Sequence, residues 1–586
     1  VEEARETIIN SSKNGAFFEA IDRLSHSSAE DRDSLTANLI DLHNEGKIDL
    51  VEEYSKLKNS RESPGNFFLL RHVFEKALPK LSAEIGATMS CVMHLYSEAG
   101  NDMAAGLILD AYIEFCRGDP SRPRIALDKI QGNSSLIDLL TPTIVSGAFF
   151  DVDYYLSQTL SFIQVDDIGI RRRAIFSLGR IQFPDDFIFP ESVYETLGHA
   201  IKEENDDEFL GPAVRTFFSL LRYENAQKQR LFQMMENAFA KGGISTLHAG
   251  SEILGLFTDE ALKITDTDLP ELIDLLLKYL ANVDPNNART VEFIDYGITK
   301  LLETERSESA IEFVQTFLVE NHREATLDQF ESVIRKIREN EILRNKVSTR
   351  WLLTGKEVLC EGVNKIVGAD QGSNFTVDVD PSEIVPLDKT HIIFIARKSI
   401  GYLFLNPKSA ASLIVSLMKV APDEETLFEL TKHLVDPLLI NFNGKPFEYV
   451  ESRASTENAE IALKLREALD AIRSYLKGIH SAGEISELHP SQMHQEVYNR
   501  KIMQQMAESM KEAEARSPIL SLATKQTILY GRGSIAYVHH AVGAKERIEV
   551  PLQMHSIEIE HPRGDKLDPN GLDFLLRVFR AEQIRQ

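Results

Sequence analysis

What most limits the folds open to this chain is the return, segment after segment, of apolar residues every three or four positions. Ile170, Ala174, Leu178 and Ile181 form one such line with Ile175 beside it, and Arg173, Ser177 and Arg180 fall on the opposite side. Met103, Leu107, Ala111 and Phe115 form another behind Asn101-Asp102, a pair suited to cap a helix start. Breaks at Ser27-Ser28, Asn44-Glu45-Gly46, Ser63-Pro64-Gly65, Gly100-Asn101 and Gly118-Asp119-Pro120 keep the segments short. No helix of that length buries its stripe alone, so each must lie on a neighbour. At 586 residues the chain also exceeds what one core organises, which points to several domains or an elongated array.

Composition narrows the setting. The chain is 43% hydrophobic and 26% charged, and no apolar tract is long enough to read as a membrane span. Its first five residues lack the basic start and apolar stretch of a secretory signal. Cys91, Cys116 and Cys360 are too scattered for a disulfide framework or a thiolate metal site, so a cytoplasmic location is expected. A net charge of -26 opposes broad binding to nucleic acid, which needs a concentrated positive surface.

Against that balance, Arg171, Arg172 and Arg173 stand side by side. Asp166-Asp167-Ile168-Gly169 precedes them, and Ala174, Leu178 and Gly179 follow. This order resembles the second helix of a HEAT repeat, a two-helix unit of about 40 residues that stacks into an α-solenoid. The resemblance implies that Arg172 reaches a turn aspartate, here Asp166 or Asp167, and so holds helices together rather than gripping an anion. Ala213 to Leu221 takes the same place about one repeat later. Paired helices continue through 231–239 with 245–257, 269–280 with 288–302, and 310–319 with 327–337, so the resemblance covers about residues 150 to 340.

The fold class that follows is mostly α: a solenoid of HEAT-like helical hairpins with a small C-terminal α+β module containing a β-hairpin. Residues 1–150 form N-terminal helical repeats and 151–350 the HEAT-like ones. A joint over 351–390 includes the alternating run Asn374 to Asp380, read as an exposed extended segment. Further helical repeats occupy 391–489, where Ile392, Ala396, Ile400 and Leu403 mark a buried helix and another runs from Glu424 to Leu439. A long helix over 490–517 starts at Ser491, and its Met503, Met506 and Met510 share one face that reads as core, with an adaptable partner surface as the alternative. The module spans 518–586.

Within that module, a turn centred near Gly543 joins two period-two strands. It sets Met554 to Ser556, where the second strand changes face, opposite Gly531-Arg532-Gly533, and Pro551 makes the second strand an edge. A closing helix from Gly571 to Gln583 lays Leu572, Leu575, Val578 and Phe579 over the sheet. His540 and His555 fall about nine pairs apart, on the order of 30 Å, too far to share a metal. Arg532, Ser534 and Glu558-Ile559-Glu560 resemble elements of ADP-ribosyltransferases, but that family's middle element is absent.

No phosphate loop, dinucleotide fingerprint, zinc-protease helix or nucleophile elbow occurs, so no catalytic, cofactor or metal residue is assigned and no cofactor is expected. The function expected is a protein-binding scaffold or adaptor, with self-association open, nucleic acid disfavoured and no membrane partner. Arg171, Arg172, Gly531, Arg532, Gly533 and His555 are its candidate partner-binding residues. The competing class is an enzyme or nucleic-acid-acting subunit with a dispersed site in or near the C-terminal module.

Overall fold

The computed structural model describes residues 2–25, 29–60, 66–100, 102, 104–131, 133–368, 375–483, 485, 490–516, 533–539, 545–551 and 560–584. These residues are almost wholly helical, and successive helices pack as pairs in the manner of an α-solenoid. The chain divides into two compact units, Val1–Phe313 and Val314–Gln586.

In the first unit one line of helices comprises Leu107–Arg117, Leu140–Ala148, Ile168–Leu178, Asp207–Leu221, Ile244–Leu256 and Ala288–Leu301, each packed on the next. A second line lies against it: Ser121–Gln131, Val152–Ile163, Glu191–Glu203, Lys228–Lys241 and Leu272–Leu280. The Ile168 helix shows how the sequence produces this. Asp167 is extended, and its carboxylate accepts the Ile170 N–H at 3.1 Å, so it caps the helix instead of pairing with Arg172. Ala174, Ile175 and Leu178 are then fully buried. An additional helix, Thr258–Thr267, interrupts the expected two-helix rhythm between 257 and 269. The helix anticipated from Met103 begins at Leu107; Met103 and Asn101 lie outside the described residues, while Asp102 accepts the Ala104 N–H at 2.8 Å.

Two glycines set how closely the last two helices of the first line pack. A Cβ on Gly255 would stand 2.5 Å from the Phe293 carbonyl oxygen, and one on Gly297 would stand 2.5 Å from that of Leu254. The Ile244 and Ala288 helices therefore touch backbone to backbone, which a side chain at either position forbids.

The second unit holds Glu341–Thr354, Glu357–Gly368, Lys389–Leu403, Pro407–Lys419, Glu424–His433, Lys445–Thr456 and Ala459–Gly483. Ile392, Ala396, Ile400 and Leu403 are fully buried, as their spacing requires. The helix from Glu424 does not run evenly to Leu439. Asp436 leaves helical geometry at φ −125° and ψ 115°, because the Pro437 ring disfavours a helical residue before it.

Residues 375–380 are extended, but they are not exposed. Val377 and Val379 are buried, and their N–H groups donate to Ser412 and Ser416 at 2.8 and 3.0 Å. The alternate N–H groups, of Asp378 and Asp380, donate to Asn345 and Thr349 at 3.0 and 2.9 Å. Each receiving pair is four apart on its helix, about 6 Å along the axis, and each donating pair is two apart on a strand, about 6.6 Å. The two periods match, so polar helix side chains satisfy the backbone of an extended segment that has no strand beside it among the described residues.

Towards the C-terminus, Gln492–Arg516 is the long helix, with the Ser491 hydroxyl accepting the His494 N–H at 3.2 Å. Its methionines are not core: Met503, Met506 and Met510 are 66%, 55% and 60% exposed. Two strands, β1 (Gly533–His539) and β2 (Lys545–Pro551), pair antiparallel from Gly533 opposite Pro551 to His539 opposite Lys545. Gly533 thus faces Pro551 and not the Met554 to Ser556 stretch. The connecting residues 540–544, and the bend proposed at 531–532 with 552–559, lie outside the described residues. The closing helix is Pro569–Ala581. Its Leu572 and Phe579 are buried, the helix packs on the Lys389 helix, and Val578 faces outward.

Candidate functional site

The three adjacent arginines are each committed to a carboxylate elsewhere in the fold. Arg172 makes a two-pronged bond to Asp206, Nε to Oδ2 at 2.6 Å and Nη2 to Oδ1 at 2.8 Å. Arg171 pairs with Glu204 at 3.0 Å, and Arg173 pairs with Asp138. Donating to the Asp206 carboxylate raises the Arg172 guanidinium above its usual pKa. The pairing partner of Arg172 is therefore in the turn of the following helix pair, not in its own turn at Asp166 or Asp167. One helix turn thereby connects to the pairs on either side of it.

The acidic turn supplying these partners has a further member. Asp207 accepts N–H bonds from Gly243, Ser245 and Thr246 at 2.6, 2.7 and 3.1 Å and the Thr246 hydroxyl at 2.7 Å. It sits at the N-terminus of the Ile244 helix, where a negative charge meets the unpaired N–H groups of the first turn. Burial acts to raise its pKa, but the bonds from Thr246 and the two preceding N–H groups outweigh this and hold it below the usual aspartate range.

Beside this ladder lies a groove in the first unit with a volume of about 1270 Å³. Its walls come from the Leu107, Leu140, Ile168 and Asp207 helices, the turn after the Ile168 helix, Phe257 and Lys263. Leu107, Ile113, Val145 and Phe176 give it apolar surface. Arg180, Arg222 and Lys263 bring positive charge, and Asp110, Asp185 and Glu224 bring negative charge. These three cations recur at 180, 222 and 263, about one helix pair apart, and among the described residues they show no carboxylate partner. Arg173, on the same wall, is committed to Asp138. Sequence reasoning singled out Arg171 and Arg172 and missed these three. The signal available was their near-equal spacing.

In the second unit the C-terminal helix is held by a different cluster. Lys398 is fully buried, its ammonium donates to the Arg580 carbonyl, and the rings of Phe394 and Tyr402 lie 5.1 and 6.0 Å away. Arg397 pairs with Glu582 at 2.9 Å, and His433 meets Phe579 edge-on at 5.6 Å. Burial drives the Lys398 pKa down, and burial with Arg397 pushes His433 down to about 4. A lysine whose folded pKa is depressed binds its proton more weakly when docked than when released. Docking should then tighten as pH rises through that lowered value towards 10.5, the usual lysine value, and Lys398→Met should abolish that dependence. Limited proteolysis of the C-terminal segment between pH 7 and 10 reads this directly.

Of the remaining candidates, Gly533 opens β1, and Gly531, Arg532 and His555 lie outside the described residues. Glu560, one of the residues resembling the ADP-ribosyltransferase elements, accepts the Gly444 N–H at 2.7 Å and so fastens the C-terminal segment. All three cysteines are buried and unpaired, with burial raising Cys91 and Cys360 to about 12 and Cys116 to about 11. No helix among the described residues is long and apolar enough to cross a membrane.

No family model matches this chain, and no curated protein matches it. Among solved structures, an engineered protein from the Northeast Structural Genomics Consortium aligns over 80% of this chain and 98% of its own, at 11% identity and a TM-score of 0.21. A structure described as APUM23-GGAUUUGACGG aligns over 79% of this chain and 93% of its own, at 14% identity and a TM-score of 0.23. Likenesses this distant carry no argument about what the chain binds.

Proposed function

We propose that this chain is a protein-binding scaffold or adaptor subunit, built of HEAT-like repeats and working in a reducing, cytoplasmic setting, that receives a partner polypeptide in the groove of its first unit. The observation that carries the reading is the groove lining. Apolar patches alternate with charges of both signs across successive helix pairs, the surface that a mixed peptide or helix complements. The arginines that a phosphate-binding site would need at 171–173 are instead bound to Glu204, Asp206 and Asp138. Inert buried thiols are in keeping with a reducing compartment.

Affinity capture with the full chain, followed by mass measurement, tests this. A stoichiometric protein partner is expected, and reversing Arg180, Arg222 and Lys263 to glutamate should weaken its binding at least about tenfold with unchanged circular dichroism. Failure to recover any stable protein complex overturns the reading. A second reading, nucleic-acid binding, draws on the recurrence of those same three cations. It requires oligonucleotide affinity that falls steeply with salt and is lost in the triple variant.

A further inference from the structure

The helix Gln492–Arg516 lacks the burial that makes a helix stable. Of its described side chains only Tyr498 and Ile502 are half-buried, with Lys566 lying 5.1 Å from the Tyr498 ring. Its own support is slight, chiefly Gln504 to Glu508 at 3.0 Å. A helix polar on most sides is marginal in water unless something covers its apolar stripe. The stripe is present and uncovered: Met503, Met506 and Met510 are 66%, 55% and 60% exposed. Asn499 before them and Ala513 after them extend the spacing to four, three, four and three, the seam of a two-helix coiled coil.

We propose that this seam pairs antiparallel with the same seam of a second copy of the chain. Charge selects both the occupant and the direction. Positions 500, 507 and 514 follow one another at seven-residue intervals and so flank the seam on one side, and the sequence carries Arg, Ala and Glu there. Antiparallel helices set this flank against the same flank of the other copy, so Arg500 of each copy comes opposite Glu514 of the other. Met506 then meets Met510 across the axis. Parallel helices would set the flank against 495, 502 and 509, which are Gln, Ile and Ser and offer no charge. Methionine suits the seam because its flexible, polarizable side chain packs without a preformed hole. The pairing uses surface remote in sequence from the groove, so its loss leaves the groove reading standing.

Sedimentation equilibrium of the full chain should show a species of twice the 66.1 kDa chain mass. Met506→Lys with Met510→Lys should return it to monomer; both sites are exposed, so the fold is kept. Arg500→Glu should raise the dissociation constant about tenfold, and adding Glu514→Arg should restore it. Under oxidation Ala507→Cys, near the two-fold axis, should cross-link to its own copy, whereas Asn499→Cys should not. A monomer at every concentration, a dimer indifferent to the methionine changes, or cross-linking through position 499 would each overturn the proposal.

Discussion

Asp207→Ala should lower the stability of the first unit by about 2–3 kcal/mol, because it removes an N-terminal cap and a charge-assisted acceptor in one step. Four donors lose their shared acceptor, three of them N–H groups at the start of the Ile244 helix. Urea unfolding followed by circular dichroism gives the shift in midpoint. The same carboxylate fixes a pH dependence. Its folded pKa is depressed, so its contribution is complete above the usual aspartate value near 3.8 and is lost as pH falls through the lower folded value. Asp207→Asn retains an acceptor but not the charge, and should flatten that acid limb with a smaller loss at neutral pH. A midpoint unchanged in the alanine variant would show that this carboxylate does not help to hold the neighbouring helix pairs together.

Gly297→Leu should cost about 3 kcal/mol, the upper range for forcing volume into a closed contact. Its new Cβ would stand 2.5 Å from the Leu254 carbonyl oxygen, and backbone cannot rotate aside as a side chain can. Gly478→Ala is the contrast: nothing lies within 4 Å of that Cβ, and the position is helical. It should stabilise by about 0.5–1 kcal/mol through the unfolded chain. Thermal unfolding of the two variants should therefore move in opposite directions.

How far the sequence foretold this molecule depends on the distance over which each feature is decided. The Ile168 and Lys389 helices were legible because their apolar spacing is local and has one geometric solution. The partner of Arg172 was not, since choosing Asp206 over Asp167 depends on how one helix pair is set upon the next. Asp167 was also claimed by its own helix as a cap. Over 375–380 the expected extended run is present but is not exposed. Alternating polarity ordinarily means one wet face, but here Asn345, Thr349, Ser412 and Ser416 meet the backbone from the helices on either side. Likewise, nothing in residues 569–581 announces that Phe579 will find His433 or that Arg580 will receive Lys398. In the candidate groove, no local motif marks Arg180, Arg222 and Lys263; only their recurrence does.

The extended segment at 375–380 has a mechanical consequence. Pulled lengthwise, helix pairs joined only by apolar contact peel away one after another at low force. Where four N–H groups are gripped by two helices at once, those bonds bear load together in shear and must fail together. The stretch around Asn345 and Ser416 should then resist such a pull better than helix pairs joined by apolar contact alone.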